Sequence, residues 1–578
     1  MSLVIAGQEY ILPQGIAYFE KTPPLRASDV SVGNCLVCGD VGGGVPNDVE
    51  VNDLPPIYEF TNPTDAQAIL KSGDGLEAIV EAFKHGASRV LFIRGQRTDG
   101  TVPAKQATKT DATDKLVFTS ADYADFGNCL SVELDYDTST VIVKLRLYNL
   151  GAQIVDALTA SGASTAVSTL SDTGMAFDTK GIIAFDPATR TGDLLHVIDD
   201  GATGTKNGYY TIASFGASTI VINEVIGTLA DVKSYEVVRI SSVALEQSPA
   251  LTNTNAAVNA WIAATGPIRQ YINSVVTGSY TIVADAAEGF LYGGANGAAT
   301  AADVEDALAM CVAVNAQLRT IAYSDSSFFA KLKAHILEAA NAGYKSLGFV
   351  GGLYDDTPAE IEAYAVALDD DRMVVCAPAP QDYSLTSVLR VFDMWRTAAK
   401  AMGVAASLDP AEPLTHKNIT AVGLNAVYTQ AEREALQQAG VLFVQQTPAG
   451  KQINKGVTTL QDNDQLWTGG VNPKTPEISL RRIADSISTT IARGTGSDIV
   501  GHNARYAGAA LGGYLTATLE DFKNNKGWIM DGVDAVTGEN IPAYTIYRIY
   551  KVADAFYADV ALNFADPINF VVFKGIIL

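Results

Sequence analysis

The sequence predicts a multidomain α/β (α+β) protein: a three-layer α/β core, an inserted all-β domain, and extended N- and C-terminal arms. Three observations support this. Helical and strand-like apolar periods alternate on both sides of a long stretch that contains only strand-like runs. The first residues are rich in proline, and strand-like apolar runs continue almost to the last residue. A chain of 578 residues, 48% apolar and 18% charged, has room for several domains.

Residues 1–27 are predicted to form an N-terminal arm. Two short extended runs come first, and the prolines that follow exclude a helix. The arm residues expected to pair with another strand are Val4, Ile5, Tyr10, Ile11 and Leu12.

Residues 28–104 are predicted to form the first part of the core. A strand over 35–39, a helix with its apolar face at positions 76, 79, 80 and 83, and a strand over 90–93 make a strand–helix–strand unit. Cys35 and Cys38 form a CxxC, but there is no second pair and the surrounding run is apolar. We therefore interpret them as two core thiols and not as a zinc or redox site.

Residues 105–248 are predicted to form the inserted all-β domain. Short alternating runs at 130–134, 140–148, 181–185 and 219–222 are separated by clusters of Gly, Asp, Ser and Thr. Part of this domain is expected to be removable without disturbing the flanking core.

Residues 249–470 are predicted to form the central α/β domain. Helices are expected over 301–318, 326–342 and 388–402, and strands over 346–350, 372–376, 419–427 and 441–445. Capping boxes at Thr357–Glu360 and Thr429–Glu432 predict the starts of two further helices.

Residues 471–565 are predicted to be the C-terminal helical and strand part of the core, and 566–578 the C-terminal arm strand. Helices are expected over 477–493 and 502–524, followed by apolar alternation from Phe556. The arm strand contains Ile568, Phe570, Val571, Val572 and Phe573. Since an unpaired apolar edge promotes aggregation, this strand needs a partner, either in its own domain or in a neighbouring copy.

The net charge of −24 argues against a general nucleic-acid binder, which needs a basic surface. The acidity is uneven: residues 471–578 contain ten Lys and Arg against eleven Asp and Glu. The C-terminal part is therefore the least acidic surface available to an acidic partner.

No catalytic, cofactor-binding or metal site is predicted. The sequence has no P-loop and no GxSxG, and its five histidines lack metal-site spacing. His335, on an amphipathic helix, is expected to be solvated or to cap, and the 369–371 aspartates to serve as caps. The chain has no signal-peptide pattern and no apolar stretch of about 18 residues, so we expect synthesis in a reducing cytosol and no membrane insertion.

Seven segments carry a resemblance when they are taken in order: PQGIAY at 13–18, CLVCG at 35–39, GASRVLFIR at 86–94, LYGGANG at 291–297, TQAEREALQQAGV at 429–441, INKGVTTL at 453–460 and PEISLRRI at 476–483. The chain resembles the tail sheath proteins of contractile phage tails and related injection machines. Asn296 replaces the family's usual Asp. The resemblance covers residues 10–105 and 250–578, with the β insertion at the family's most variable place.

The resemblance implies a structural subunit, not an enzyme, that needs no cofactor. Its copies would polymerise as stacked hexameric rings around a tail tube and contract to drive that tube through the host envelope. The implied partners are copies of the chain itself, the tail tube protein, and the baseplate and tail terminator proteins, with no nucleic acid and no membrane insertion. The implied location is the virion tail, assembled in the host bacterial cytoplasm, with the two arms completing a sheet in neighbouring subunits.

Tube contact would come from the weakly charged C-terminal region, at Arg481, Arg482 and Arg493. Positions 482 and 493 share a helix face, whereas isoleucines at 483, 487 and 491 mark the core side. This basic strip either meets acidic tube residues or is an ordinary solvated face with local ion pairs.

Two other classes of protein remain open from the sequence. One is another repetitive virion or surface-layer protein whose β domain binds a host. The other is an α/β enzyme with a β accessory domain, which would need a pocket with convergent titratable groups.

Overall fold

The computed structural model describes most of the chain. The described residues are 2–5, 8–11, 33–49, 56–99, 106, 108–110, 116–121, 125–159, 168–199, 208–224, 229, 232, 234–264, 266–276, 281–385, 387, 389–461, 477–498, 504–533, 537–552 and 555–565. The predicted arm residues Leu12, Ile568, Phe570, Val571, Val572 and Phe573 lie outside them.

The helices, in chain order, are α1 Pro63–Leu70, α2 Asp74–Lys84, α3 Asn255–Ile262, α4 Ala301–Ala309, α5 Ser326–Asn341, α6 Pro358–Leu368, α7 Trp395–Ser407, α8 Gln430–Gln438, α9 Ile478–Asp498 and α10 Ala504–Asp521. Capping boxes begin α6 and α8, as predicted, and a third begins α4 at Thr300–Asp303. Among the described helices, none is both long enough and apolar enough to cross a bilayer.

The strands are β1 Ser2–Ile5, β2 Gln8–Ile11, β3 Asn34–Gly39, β4 Tyr58–Phe60, β5 Arg89–Arg94, β6 Thr108–Thr110, β7 Leu116–Ser120, β8 Leu130–Asp137, β9 Thr140–Thr159, β10 Thr169–Ser171, β11 Asp193–Asp199, β12 Gly208–Phe215, β13 Thr219–Ile222, β14 Ser234–Gln247, β15 Leu251–Thr252, β16 Ile272–Val276, β17 Ala286–Phe290, β18 Leu318–Ile321, β19 Leu347–Val350, β20 Met373–Ala377, β21 Pro380–Tyr383, β22 Leu389–Val391, β23 Gly423–Leu424, β24 Val441–Thr447, β25 Gly450–Ile453, β26 Gly532–Val533, β27 Asn540–Ile541, β28 Tyr544–Val552 and β29 Ala555–Leu562.

An eight-stranded sheet in the order β25-β24-β20-β19-β18-β3-β5-β4 organises the core. The strands from β24 to β5 run parallel, whereas β25 and β4 pair antiparallel at the two edges. Inner parallel strands are covered on both faces, so their sequences are almost continuously apolar. In β3, Cys35 and Val37 belong to one buried cluster, and Leu36 and Cys38 to another.

Helices pack on both of these clusters. Ile79 of α2 and Trp395 and Met402 of α7 lie in the cluster with Cys35. Leu308 of α4 and Ile336 of α5 lie in the cluster with Leu36, together with residues of α6 and α8. The apolar faces that the sequence predicts for these helices therefore all pack against this one sheet.

A buried ion-pair network joins α2 to α7. Arg396 donates to Glu77 Oε2 and Glu81 Oε1, both at 2.7 Å, and Lys400 lies against Glu81 and Asp382. Burial would raise the pKa of Glu81, but the charges of Lys400 and Arg396 hold it below its ordinary value. Glu81 therefore stays ionised inside the core.

Three sequence predictions in the central domain are corrected. The helix expected over 301–318 ends at Ala309, because Arg319 of β18 donates to the carbonyls of Cys311 and Val314 and stabilises a turn there. Residues 389–391, expected to be helical, form β22 by pairing with β21, and α7 begins only at Trp395. Of the strand expected over 419–427, only Gly423–Leu424 pairs.

A nine-stranded sheet holds most of the β-rich segment, in the order β10-β13-β12-β11-β14-β9-β8-β17, with β15 on β9. The long strands β9 and β14 pair along most of their length with several register shifts. Residues 181–185, expected to be a strand, instead lead into a turn closed by the Asp186–Thr191 bridge. Buried clusters in this sheet are separate from those of the central sheet.

The parallel strands of the central sheet begin along one side of the sheet, here called the amino edge, and end along the opposite side, called the carboxyl edge. These two sides have different neighbours. The chain enters the β-rich segment after β5 and returns near Asn296, whose carbonyl accepts from Arg94 at the carboxyl edge. Helix α9 lies at the amino edge, where Arg372, directly before β20, binds Asp485. The N-terminal end of β3, with Gly33 close to Ala406, lies at this amino edge too.

Candidate assembly surfaces

Arg481 of α9 belongs to a buried ion-pair cluster at the amino edge of the sheet. Its Nη1 donates to Asp371 Oδ2 at 2.6 Å, and its Nη2 to Asp485 Oδ1 at 2.5 Å. Arg372 binds both oxygens of Asp485, at 2.6 and 2.8 Å. Burial would raise the pKa of Asp485, but the two guanidiniums hold it below its usual range.

Arg482 points into the same junction from the neighbouring position. Its Nη2 donates to Leu408 O at 2.9 Å and its Nη1 to Asp409 O at 3.4 Å, so it caps the C-terminal end of α7. Burial lowers its pKa to about 10. Asp409 Oδ1 also accepts from Trp528 Nε1 at 2.8 Å, which ties the chain beyond α10 to α7.

The apolar face of α9 completes this attachment. Ile483 and Ile487 are buried in a cluster with Phe522 and Trp528, and Ile491 packs at its border. The prediction that these three isoleucines mark the core side is confirmed.

The placement of the three arginines corrects the picture of one basic strip. Arg481 and Arg482 are buried and bonded inside the subunit, so their guanidiniums are not offered to an outside partner. Arg493 is half-buried, and its Nη1 is a buried atom that has no hydrogen-bond partner in the described part of the chain. The sequence did not indicate this, because Asp371 and Asp409 lie 110 and 73 positions away.

The C-terminal hairpin of β28 and β29 explains the apolar alternation from Phe556. The two strands pair antiparallel, with Tyr550 opposite Tyr557 and Tyr544 opposite Leu562. Phe556 and Ile549 pack on Leu511 of α10. Within the described residues, this sheet has two strands only, so the outer edges of both strands have no ladder partner there.

The N-terminal arm forms a second two-stranded ladder. Strand β1 pairs antiparallel with β2, with Val4 opposite Glu9 and Ile5 opposite Gln8. Tyr10 and Ile11 lie in β2. Among the described strands, no other one pairs with this ladder.

The cysteines, His335 and Arg94 could in principle serve in catalysis or metal binding, but all of them are buried in the packed interior. All five cysteines are buried and free, and burial raises the pKa of Cys35 to about 12. The described residues contain no cluster of His, Cys, Asp and Glu that could hold a metal ion. His335 is buried against Arg319 and is not solvated as expected. At the carboxyl end of β5, Arg94 is fully buried and donates to the carbonyls of Gly43, Gly44 and Asn296.

The fold is that of tail sheath proteins. A sheath tail protein from Desulfitobacterium hafniense superposes with a TM-score of 0.53, at 14% identity, over 92% of each chain. A second, from Listeria innocua, gives a TM-score of 0.51 at 12% identity, over 93% of this chain and 97% of its own.

The sequence leads to the same class of protein. The chain is 23% identical to the tail sheath protein of Bacillus phage SP01 over 580 residues, which cover 96% of each protein. No family model matches the chain. The resemblance seen in the ordered motifs is thus confirmed: the chain is a homologue of a phage tail sheath protein along nearly its whole length.

Proposed function

We propose that this chain is the structural subunit of a contractile tail sheath in a phage or phage-derived particle. The observation that carries the proposal is the end-to-end match to a tail sheath protein, with the same fold in two sheath tail proteins. Copies would stack as hexameric rings around a tail tube, and repacking of the rings would drive the tube through the host envelope. The subunit would be assembled in the host cytoplasm, would reside in the virion tail, and would contact baseplate and terminator proteins at the ends of the sheath.

The hairpin β28–β29 supports exchange of strands between copies. Isolated two-stranded hairpins are marginal, and open edges accept further strands. We propose that these edges receive the arm strands of neighbouring copies, Ser2–Ile5 or Gln8–Ile11 on one side and residues 566–578 on the other. Backbone pairing of this kind keeps copies linked while rigid bodies rotate.

The amino and carboxyl edges of the central sheet carry different elements, which supports a subunit with one side towards the tube and the other towards the outer surface of the sheath. The N-terminal end of β3 and helix α9 lie at the amino edge of the central sheet, and the C-terminal hairpin packs against α9. The nine-stranded sheet is entered from the carboxyl edge. We propose that the amino edge faces the tube, with Arg493 as the remaining candidate for tube contact. The inserted β domain, residues 105–248, would then lie on the outer surface of a three-layer core.

Electron microscopy of the purified chain tests the proposal. Long hollow cylinders built of stacked six-fold rings are expected. Monodisperse monomers at all concentrations, or flat lattices of a surface-layer type, would contradict a sheath. An enzyme would instead require a deep polar pocket with convergent titratable groups.

Deletion of residues 566–578 tests the exchange of strands. The shortened chain is expected to keep its fold, measured by far-UV circular dichroism and resistance to proteolysis, and to stop polymerising. A matched control removes as many residues from the interior of the β-rich segment, outside the proposed contacts. If the shortened chain unfolds, the terminal strand belongs to the subunit's own core.

A further inference from the structure

Two glycine-rich segments meet at the carboxyl end of β5. They are GDVGGGVPN at 39–47, which begins at the end of β3, and LYGGANG at 291–297, which follows the β-rich segment, residues 106–290. Arg94, the last residue of β5, lies fully buried between them. Its Nη1 donates to two carbonyls of the first segment, at 3.1 and 3.3 Å, and its Nη2 donates to Asn296 O of the second at 2.7 Å.

The first glycine-rich segment is also bonded to the chain that leaves β5 for the β-rich segment. Asn47 Nδ2 donates to the carbonyls of Arg94 and Gly95, both at 3.1 Å. Gln96 Oε1 accepts from Val41 N at 3.0 Å, and its Nε2 donates to Val41 O at 3.2 Å. Asn47 and Gln96 are both buried. The outgoing chain is therefore fixed to the central sheet from its first residues.

The second glycine-rich segment is also bonded to the β-rich segment. Asn128, a fully buried residue just before β8, donates to Gly294 O and accepts from Gly294 N, both at 2.9 Å. Tyr292 and Thr108 exchange backbone hydrogen bonds of 2.8 and 3.1 Å, which pairs the returning chain with the outgoing one. Residues 291–297 are therefore hydrogen-bonded to the central sheet on one side and to the β-rich segment on the other.

A separate contact joins α1 to the β-rich segment. Lys71, directly after α1, places its Nζ 4.9 Å from the ring centre of Phe126 and 4.3 Å from that of Tyr271. The two rings lie edge to face, with their centres 5.6 Å apart. A cation over an aromatic face is attracted by the π-electrons of the ring. Domains joined by chain crossings alone are expected to move relative to each other, whereas these contacts from α1, β5 and the glycine-rich segments oppose such motion.

We infer that Arg94, Asn128, Lys71 and the two glycine-rich segments form a rigid joint that holds the β-rich segment in one orientation on the central sheet. Turning the segment would separate the Arg94 guanidinium and the Asn128 amide from their acceptors at buried positions, where an unsatisfied polar group is costly. A guanidinium also presents its donors in a fixed plane, so it allows little change of spacing. The inference concerns a single copy and goes beyond the proposed function; in a polymer, the β-rich segment would follow every rotation of the sheet.

A distance measured between the two parts of the chain tests the joint. The five native cysteines are all buried, so Leu245→Cys on β14 and Leu337→Cys on α5 introduce two accessible thiols for spin labels. Pulsed electron paramagnetic resonance then gives the distribution of distances between the labels. An excess of unlabelled chain removes distances between copies. A single narrow distribution is expected, because both labels stand on regular elements that the joint holds in one arrangement.

Variants of the labelled chain identify the residues that hold the joint. Asn128→Ala, Arg94→Met and Lys71→Met are each expected to broaden the distribution or to add a second maximum. Arg89→Met is the matched control on β5, because Arg89 binds Glu59 at the surface of the sheet, and it is expected to leave the distribution narrow. Circular dichroism establishes that each variant is folded. Lys71 is only half-buried, so its variant carries the test if the buried residues cannot be replaced.

The outcomes for the joint and for the sheath are separate. A broad distribution in the parent labelled chain would overturn the inference. So would a folded Asn128→Ala or Arg94→Met chain whose distribution stays as narrow as the parent's or, if neither of them folds, a narrow distribution in Lys71→Met. Cylinders built from a chain with a broad distribution would leave the sheath function standing and refute only the joint. A narrow distribution that these variants broaden, without cylinders, would support the joint and contradict the sheath.

Discussion

Arg396 and Lys400 are fully buried in α7, and their charges are balanced by carboxylates from α2 and β21. A buried ion pair adds little net stability compared with an apolar pair, but removing one partner leaves an uncompensated charge in the core. The network therefore makes the packing of α2 against α7 specific, because any other arrangement would strand Glu77 or Glu81.

Arg396→Ala is expected to destabilise the central domain by roughly 3–5 kcal/mol, since it removes the guanidinium that Glu77 and Glu81 share and leaves their charges in the core. Lys84→Ala is the control, because Lys84 binds the same Glu81 but is 54% exposed. It is expected to cost less than about 1 kcal/mol. Hydrogen exchange of the α2 amides measures both effects, and equal costs in the two variants would contradict the account.

His335 makes stability depend on pH. Burial, with Arg319 beside it, lowers its pKa to about 3, so it is neutral in the folded chain. An unfolded histidine, with a pKa of about 6.5, binds a proton below that pH. The unfolded state therefore binds more protons between about pH 6.5 and 3, and stability falls as the pH falls through this window.

His335→Gln is expected to flatten this part of the stability curve, by up to about 1.4 kcal/mol per pH unit. Urea unfolding between pH 7 and 4 measures the slope. His416→Gln is the control, because His416 is exposed. An unchanged slope in His335→Gln would show that another group titrates.

At the scale of elements, Gly440 separates α8 from β24 with a φ of +80°. A Cβ added there would lie 2.4 Å from Thr458 O, whereas one added at Gly343, with φ +93°, would meet nothing within 4 Å. Gly343→Ala therefore measures only the cost of holding an alanine at positive φ, which we expect to lower the free energy of unfolding by about 1 kcal/mol. Gly440→Ala is expected to cost at least about 1 kcal/mol more, because the chain after Gly456 must shift. Equal melting temperatures for the two variants would contradict this steric account.

Elements defined by local chemistry were predictable from the sequence. The capping boxes of α6 and α8 and the apolar strands β3, β5, β20 and β24 follow from residues close in the chain. Elements that depend on distant partners were not: β22 exists because β21 pairs with it, and α4 ends where Arg319 satisfies the turn after it. Local patterns carry no information about such partners.

The same limit applied to the candidate assembly residues. The isoleucine face of α9 was predictable from its spacing, whereas the burial of Arg481 and Arg482 depends on Asp371 and on carbonyls at the end of α7. Two adjacent arginines on an amphipathic helix look alike in sequence whether they face solvent or a carboxylate. Only the fold brings Asp371 and Asp485 to the same guanidinium.

At the scale of the whole molecule, the surfaces proposed for assembly lie on the α/β part and the termini, and none lies on the outer strands of the nine-stranded sheet. Strands β10 to β13 all fall between Thr159 and Ser234, which pair with each other at the end of the β9–β14 ribbon. An Asn-Gly turn joining these two residues would close the ribbon as a hairpin. Tyr235→Thr and Val237→Thr would remove apolar side chains that the lost strands had covered.

This trimmed chain, without residues 160–233, is expected to polymerise into cylinders of reduced outer diameter and an unchanged bore. The reason is that the arms and the hairpin β28–β29 stay intact, whereas most buried residues of the removed strands lie in a cluster that the retained ribbon enters through Val155, Tyr235 and Val237. Electron microscopy measures the two diameters, and circular dichroism establishes that the trimmed chain is folded. A folded trimmed chain that no longer polymerises would place an assembly contact on the removed strands, and a narrower bore would put those strands on the tube side.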